Sequence, residues 1–418
     1  MTSLQKKNFN IFAIGMFVSL LGSQIQMISM PLFILDITGS GTLTGFFTFL
    51  MLFPFILITP VAGVLGDRLN RKNIMVYMDI IRGFMVMFLA IWAFLFEISL
   101  TMIFIFQIFI SVMDGIFSSS TSAMRADLVS KEDYAIANSK ISALTSISGL
   151  IGPAIGGFIY SFGGIKIVFL INALSFLISG IAEIFIKYDF KSNNKKITIN
   201  SFFDDVKEGV VFIKKQIGLK YLMMFAAITN FLLAPIIYVV FPYVFKETIG
   251  FSSEQYGLLQ TGFTIGALLG SLIFGKYLIS VSSRKSISFG LIFQLMVGFF
   301  VSIVIFPNIV RNFDSNLWNF FFIVFILVIF WGFFNIIINI PIQTNMQRMA
   351  PSYIRARVFS VVSLIFQGAV PVGSILYGFF VDFFPAHIIM LISILLSAFV
   401  SILFLIKSPD ETFESQMN

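Results

Sequence analysis

Apolar residues run in long uninterrupted blocks along this chain, and polar residues gather in short stretches between them. Crossing about 30 Å of hydrocarbon takes roughly 20 helical residues. Twelve blocks reach that length, near 10–36, 42–66, 73–96, 99–122, 137–161, 166–187, 221–245, 255–279, 286–306, 317–341, 357–382 and 386–407. A backbone amide in hydrocarbon finds no water, so each block is expected to be a helix that pairs its own N–H and C=O groups. The alternating pattern of a membrane β-barrel is absent. The first block follows Lys6 and Lys7 but is too long for the apolar region of a signal peptide and lacks a small-residue cleavage site, so it reads as a retained first span.

Composition supports lipid as the solvent for these blocks. Of 418 residues, 58% are hydrophobic, 11% are charged and 55 are Phe, with a mean hydropathy of +0.98; a water-soluble core has no use for such an excess. Twelve spans place both termini on one side. With the N-terminus inside, 23 of the 27 Lys and Arg fall in cytoplasmic segments or helix ends, only Lys166, Lys246 and Arg311 fall outside, and Arg82 stays within the third span. Basic residues are retained in the cytoplasm, so both termini are expected there, in the cytoplasmic membrane of a cell. The net charge of +7 is accounted for by basic loops facing anionic lipid heads and needs no nucleic acid.

The chain divides once. Residues 188–220 form its longest polar stretch and separate an N-terminal bundle, 1–187, from a C-terminal bundle, 221–418. Within this linker Phe202, Phe203, Val206, Val210 and Ile213 share one helical face, which predicts an amphipathic helix at the membrane surface, with a plain linker helix as the alternative. The halves resemble each other: ADLVSKEDYAIANS before span five has its counterpart in QRMAPSYIRARVFS before span eleven, and IGPAIGG in span five in AVPVGSI in span eleven. GKYLISVSSRK after span eight similarly echoes GVLGDRLNRK at 63–72, keeping Gly275, Arg284 and Lys285. Two parallel six-helix repeats are a transporter architecture.

The stretch GVLGDRLNRK carries Gly63, Leu65, Gly66, Asp67, Arg68, Arg71 and Lys72 between spans two and three, and span five carries Gly152, Pro153, Gly156 and Gly157. On these residues the whole chain resembles the major facilitator superfamily, and within it the macrolide and multidrug efflux permeases. The first pattern resembles the superfamily's loop motif, with Asn70 in place of a glycine; Asn tolerates the left-handed backbone glycine supplies. The second resembles the antiporter motif of exporters. The fold implied is all-α, with twelve transmembrane helices in two pseudo-symmetric six-helix bundles. Arg68, Arg71 and Lys72 hold the loop in the cytoplasm. The resemblance implies that Asp67 caps the positive end of span eleven across the two halves and latches one state; local pairing with Arg68 or Arg71 is the alternative. The glycines of span five serve either small-residue packing or a hinge between the halves.

Polar residues at membrane depth are unfavourable unless they face a cavity or a partner. In span four Gln107, Ser111, Asp114, Ser118 and Ser122 form one helical stripe, span ten carries Asn335, Asn339 and Gln343, span one Ser19, Ser23 and Gln26, and span seven Asn230 and Tyr238. These four spans line the central cavity in the resembled superfamily. Gln26, Gln107, Asp114, Asn230, Asn335 and Asn339 are therefore the candidate proton and substrate residues. Burial makes ionisation of Asp114 costly, so it either exchanges a proton or binds a cationic substrate, or else is a structural acid bonded to neighbouring hydroxyls. The family's arginine four residues before Gly115 is missing, since Ser111 stands there. Asp79 and Arg82 are expected to pair on one helix face, and Glu183 to be solvated at the end of span six.

No Gly-Lys-Ser/Thr loop is present, so ATP is not expected as the energy source. No residue group has metal-ligand spacing and no catalytic cluster stands out, so neither a cofactor nor an enzyme is expected. Phe- and Met-rich walls suit bulky amphipathic molecules. Taken together, these features predict a monomer in membrane lipid that exports such compounds, driven by the proton gradient. An exporter of one metabolite such as a siderophore, a lipid carrier, and a receptor or assembly factor that transports nothing are the alternatives.

Overall fold

The computed structural model describes residues 2–188, 199–313, 316–351 and 354–413, with backbone only at 64, 67, 68, 199–205 and 356. Among the described residues there is no strand. The long helices are α1 (Ser3–Thr38), α2 (Gly41–Arg68), α3 (Arg71–Leu95), α4 (Leu100–Asp127), α5 (Tyr134–Ile184), α6 (Ile199–Lys215), α7 (Ile217–Pro235), α8 (Ser253–Ile273) and α9 (Ser283–Val304). After the short α10 (Pro307–Val310) come α11 (Leu317–Met349), α12 (Arg355–Phe383) and α13 (Ala386–Lys407). Eleven helices among the described residues are long and apolar enough to cross a membrane.

Helices α5 and α7 depart from regular geometry for identifiable reasons. A straight α5 of 51 residues would be about 77 Å long at 1.5 Å per residue, far beyond a bilayer core. It is broken at Gly164, whose φ of 63° and ψ of −171° lie in a region open essentially to glycine alone. The segments 134–163 and 165–184 are each long enough for one crossing. Pro235 at the end of α7 and Pro242 beyond it cannot donate to the preceding turn. The chain continues in wider π-helical turns at Ile236–Val240 and Tyr243–Thr248.

The outward side chains are those of a protein solvated by lipid. Phe162, Leu272, Ile279 and Ile406 are each at least 70% exposed, a surface that water would penalise and hydrocarbon does not.

The chain forms two compact units, residues 1–37 with 50–202, and residues 38–49 with 203–418. In the first, Phe9, Phe12 and Met16 of α1, Met75 of α3, Met124 of α4 and Ile141 of α5 close a core. In the second, Leu222 and Phe225 of α7, Leu291 of α9, Ile342 of α11, Val361 of α12 and Phe404 of α13 do the same. Helix α6 joins the second core: Ile213 is buried, Val206 and Val210 pack beside it, and Glu208 forms an ion pair with Arg357 of α12. Its apolar face thus rests on protein, while Phe202 and Phe203 lie outside the described side chains. The first turns of α2 also belong to the second unit. A Cβ on Gly45 would stand 2.2 Å from Ser374 O of α12, and one on Gly41 2.1 Å from a Val381 methyl. Asp382 of α12 accepts hydrogen bonds from Gly41 N at 2.6 Å, Thr42 N at 2.9 Å and Ser40 Oγ at 2.8 Å, satisfying donors that a helix start leaves unpaired.

Glycine contacts repeat between the units. In the first, a Cβ on Gly156 of α5 would stand 2.9 Å from Ile25 O of α1, and one on Gly115 of α4 would stand 2.3 Å from an Ile58 methyl of α2. In the second, Gly373 of α12 would meet Phe231 O of α7 at 2.9 Å, and Gly332 of α11 would meet Phe263 O of α8 at 2.1 Å. Corresponding helix pairs are thus in close backbone contact by the same means, as expected of a repeated unit.

Candidate functional site

The charged centre of the first unit is built on helix spacing. Asp79 and Arg82, three residues apart on α3, share a face. The Arg82 guanidinium donates to Asp79 through one terminal nitrogen and to Asp114 of α4 through the other, while Nε reaches Met78 O at 3.3 Å. The guanidinium lies between two rings, 4.2 Å from the centre of Phe117 of α4 and 4.4 Å from that of Phe176 of α5. The rings favour a cation there and shed water around it. Asp114 thus finds its cation on α3, a contact that spacing along α4 could not reveal.

Exposure separates the two acids. The Asp114 side chain is 39% exposed, whereas those of Arg82 and Asp79 are 4% and 0% exposed. Arg82 therefore connects an open carboxylate to an enclosed one.

Glu183 corrects an expectation, because it is fully buried rather than solvated. Helix α5 runs on to Ile184 and keeps this side chain on the face packed against α3, where Gly180 lies against Asp79 Cβ. The following segment is tied down over it. Asn8 Nδ2 donates to Lys187 O at 2.7 Å, Lys187 N donates to Asn8 Oδ1 at 3.2 Å, and Lys72 Nζ donates to Ile184 O at 2.7 Å.

The polar stripe of α4 is not continuous in use. Gln107 and Ser111 are buried, and Ser111 Oγ donates to Met51 O of α2 at 2.7 Å while accepting from Phe55 N at 3.0 Å. Ser118 and Ser122 are exposed. Gln26 is buried and accepts from Asn172 Nδ2 of α5 at 2.6 Å, so it joins two helices of one unit. In the second unit Asn230 Nδ2 donates to Ala226 O at 2.8 Å, and Asn339 Nδ2 to Asn335 Oδ1 at 2.9 Å. Asn230, Asn335 and Asn339 are all half-buried, and these bonds keep within their own helices.

At 63–72 the turn is fixed by its cations. Arg71 donates to Gly66 O at 2.9 Å through Nε and to Asp127 Oδ2 at 2.6 Å through Nη1. Tyr188 Oη donates to the same carboxylate at 2.6 Å, and burial together with that bond pushes the phenol up to about 12. Gly63 has open space where a side chain would begin. Asn70 does not adopt the left-handed backbone that a glycine replacement suggests. It is extended at φ −63° and caps α3 by accepting from Asn73 N at 3.3 Å, because an Asn side chain competes well for free N–H groups at a helix start. The side chains of Asp67 and Arg68, and with them the expected latch contact, lie outside the described residues.

Gly152, Pro153, Gly156 and Gly157 are buried, and the strip lies on α1 of the same unit. A Cβ on Gly152 would stand 2.6 Å from Gln24 Cβ, and Ser29 Oγ donates to Ile25 O at 2.8 Å and to Gly156 O at 3.4 Å.

A lipid-facing bundle with glycine-packed repeats and an arginine-bridged acid at mid-span defines a multi-pass membrane transporter of the major facilitator type. The chain belongs to the transmembrane secretion effector family of that superfamily (MFS_3), whose profile matches residues 1–417. It is 24% identical over 385 residues to macrolide efflux protein A of Streptococcus pyogenes, covering 90% of this chain and 89% of that protein. It is 27% identical over 366 residues to the putative bacilysin exporter BacE of Bacillus amyloliquefaciens, covering 86% and 84%. The crystal structure of a D-xylose-proton symporter shares the fold with a TM-score of 0.73 at 13% identity, covering 98% of this chain and 99% of that one.

Proposed function

We propose that this transporter exports lipophilic or amphipathic compounds from the cell in exchange for protons, by alternating access. The observation carrying the proton part is the half-open Asp114 held by Arg82. An acid whose one partner is a shared guanidinium can give that partner up when it takes a proton, and an exchange of this kind biases one conformation over another. The likeness to a macrolide efflux protein supports export of bulky amphipathic molecules. No cofactor enters the scheme, the proton gradient is the driving force, and the protein acts as a monomer.

The reading includes twelve crossings, with α5 counted twice about Gly164, both termini in the cytoplasm and residence in the cytoplasmic membrane. The excess of basic residues in alternate loops supports that orientation. Gly63, Gly66, Asp67, Arg68, Arg71 and Lys72 form the conformational latch of the scheme, and Gly152, Pro153, Gly156 and Gly157 the hinge strip. Gln26, Gln107, Asn230, Asn335 and Asn339 are assigned to the substrate path. A second reading, export of a single metabolite, is favoured by the similarity to the putative bacilysin exporter.

Dye extrusion from energised cells tests the proposal. Loss of extrusion on collapsing the pH gradient, and a similar loss in Asp114→Asn, are expected. Undiminished extrusion in that variant removes Asp114 from the mechanism, and extrusion indifferent to the gradient removes the proton.

A further inference from the structure

Glu183 has no part in the proposed exchange at Asp114, yet its carboxyl group is costly to leave as it stands. It is fully buried, and both of its carboxyl oxygens lack a hydrogen-bond partner among the described residues, as do Asp79 Oδ2 and Ser179 Oγ beside it. An enclosed carboxylate without donors is strongly unfavourable.

The charges around it do not balance. Helix α3 contributes Asp79 and Arg82, both within electrostatic reach of Glu183, and α4 contributes Asp114, which is paired with Arg82. On α5 itself Ser179 stands one turn away. From α1, Asn8 is engaged with the Lys187 backbone, and Lys72 of α3 donates to Ile184 O. Three carboxyl groups thus share one guanidinium, and both of its terminal nitrogens are directed at Asp79 and Asp114.

We propose that Glu183 binds an exchangeable proton, so that the enclosed Glu183–Asp79–Ser179 pocket is a second proton site coupled through Arg82 to the open Asp114. The inference rests on the reading of Asp114 as a proton-exchanging acid. Its logic is that of coupled titration. While Asp114 is ionised, it holds one arm of Arg82, and Glu183 keeps its proton as the neutral acid. When Asp114 takes a proton through its exposed side, that arm is released toward the enclosed acids, and the Glu183 O–H bond breaks with its proton passing to solvent. One proton enters at the open acid as one leaves from the enclosed one, and the total charge of the group is unchanged. The open and enclosed sites thus fill alternately, which gives a two-state carrier a proton store shielded from whatever reaches the exposed side of Asp114.

Infrared spectroscopy of the purified full-length protein in lipid discs tests this without transport. At neutral pH the wild type is expected to show the C=O stretch of a protonated, enclosed carboxylic acid. Glu183→Gln should lose that band, and Asp114→Asn, which frees the same arm of Arg82 as protonation of Asp114 does, should weaken it. Ser179→Ala, which removes only a neighbouring hydroxyl, should shift its frequency and serves if Glu183→Gln fails to fold. A band unchanged in Glu183→Gln, or absent from the wild type, overturns the proposal. In proteoliposomes the protons moved per dye molecule should fall in Glu183→Gln, and an unaltered ratio there also overturns it. A wild type whose transport ignores the pH gradient defeats the underlying antiport reading instead, and the infrared band still decides whether Glu183 holds a proton.

Discussion

Arg82 of α3 binds Asp114 of α4 and Asp79 of its own helix with a single guanidinium, held between the rings of Phe117 and Phe176. The pairing joins three helices of the first unit and leaves only the Asp114 end open.

Removing the cation should therefore cost more than a surface ion pair does. Arg82→Gln leaves buried acids unpaired, a change worth about 3–5 kcal/mol in comparable sites, and thermal unfolding in detergent should show a large drop in midpoint. Arg82→Gln combined with Asp79→Asn should recover part of the loss. Arg82→Lys should not restore the wild type, because an ammonium lacks the planar fork that serves two carboxylates at once.

Close backbone approach at Gly156 and Gly373 leads to a matched pair of effects. Alanine at either site places Cβ 2.9 Å from a carbonyl oxygen of a neighbouring helix, so helices must part, at a cost of about 1–3 kcal/mol each. Gly149, two turns earlier on α5, has nothing within 4 Å of its Cβ position. Gly149→Ala should leave stability unchanged or raise it by roughly 0.5–1 kcal/mol. Thermal denaturation of the three variants side by side checks the contrast, and equal losses at all three contradict it.

Asp382 caps α2 from α12. Asp382→Ala should destabilise by about 1 kcal/mol, the usual loss on removing an N-cap acceptor, with Asp382→Asn less affected because it keeps one carbonyl acceptor. The chain has no native cysteine, so Thr42→Cys supplies a single thiol. Its labelling rate should rise when Asp382→Ala is added, and an unchanged rate argues against the cap.

Asn70 offers a test with an unusual sign. Glycine is the residue the superfamily pattern expects here, but the backbone is at φ −63° and the side chain caps α3. Asn70→Gly should therefore weaken the protein slightly, by a few tenths of a kcal/mol, and Asn70→Ala by about 1 kcal/mol. Stabilisation by glycine would show that a left-handed turn is the preferred one.

Much of the fold was legible in the sequence because hydrocarbon imposes a length and a composition that runs of Phe, Ile and Leu satisfy openly. The doubled span in α5 could be read as two blocks around Gly164, although the structure carries helix almost through the turn. The site was less legible. Helical spacing placed Ser111 on the stripe with Asp114, but could not show that its hydroxyl serves the α2 backbone. Distance from the helix end suggested a solvated Glu183, whereas Asn8 and Lys72, remote in the chain, close the segment above it. The signal for a larger charged group lies in Arg82 itself. It is the one cation of 27 that no loop or helix end accommodates, and a lone buried guanidinium implies more acid nearby than its own helix neighbour.

In the proposed scheme compound export and proton entry are one coupled process. Purified protein in vesicles, given an imposed pH gradient and a fluorescent amphipathic dye, tests it most directly. Dye should accumulate against its own gradient while protons move the opposite way, and both fluxes should fall together in Asp114→Asn. Dye movement that follows only its own concentration difference, whatever the pH gradient, contradicts the claim.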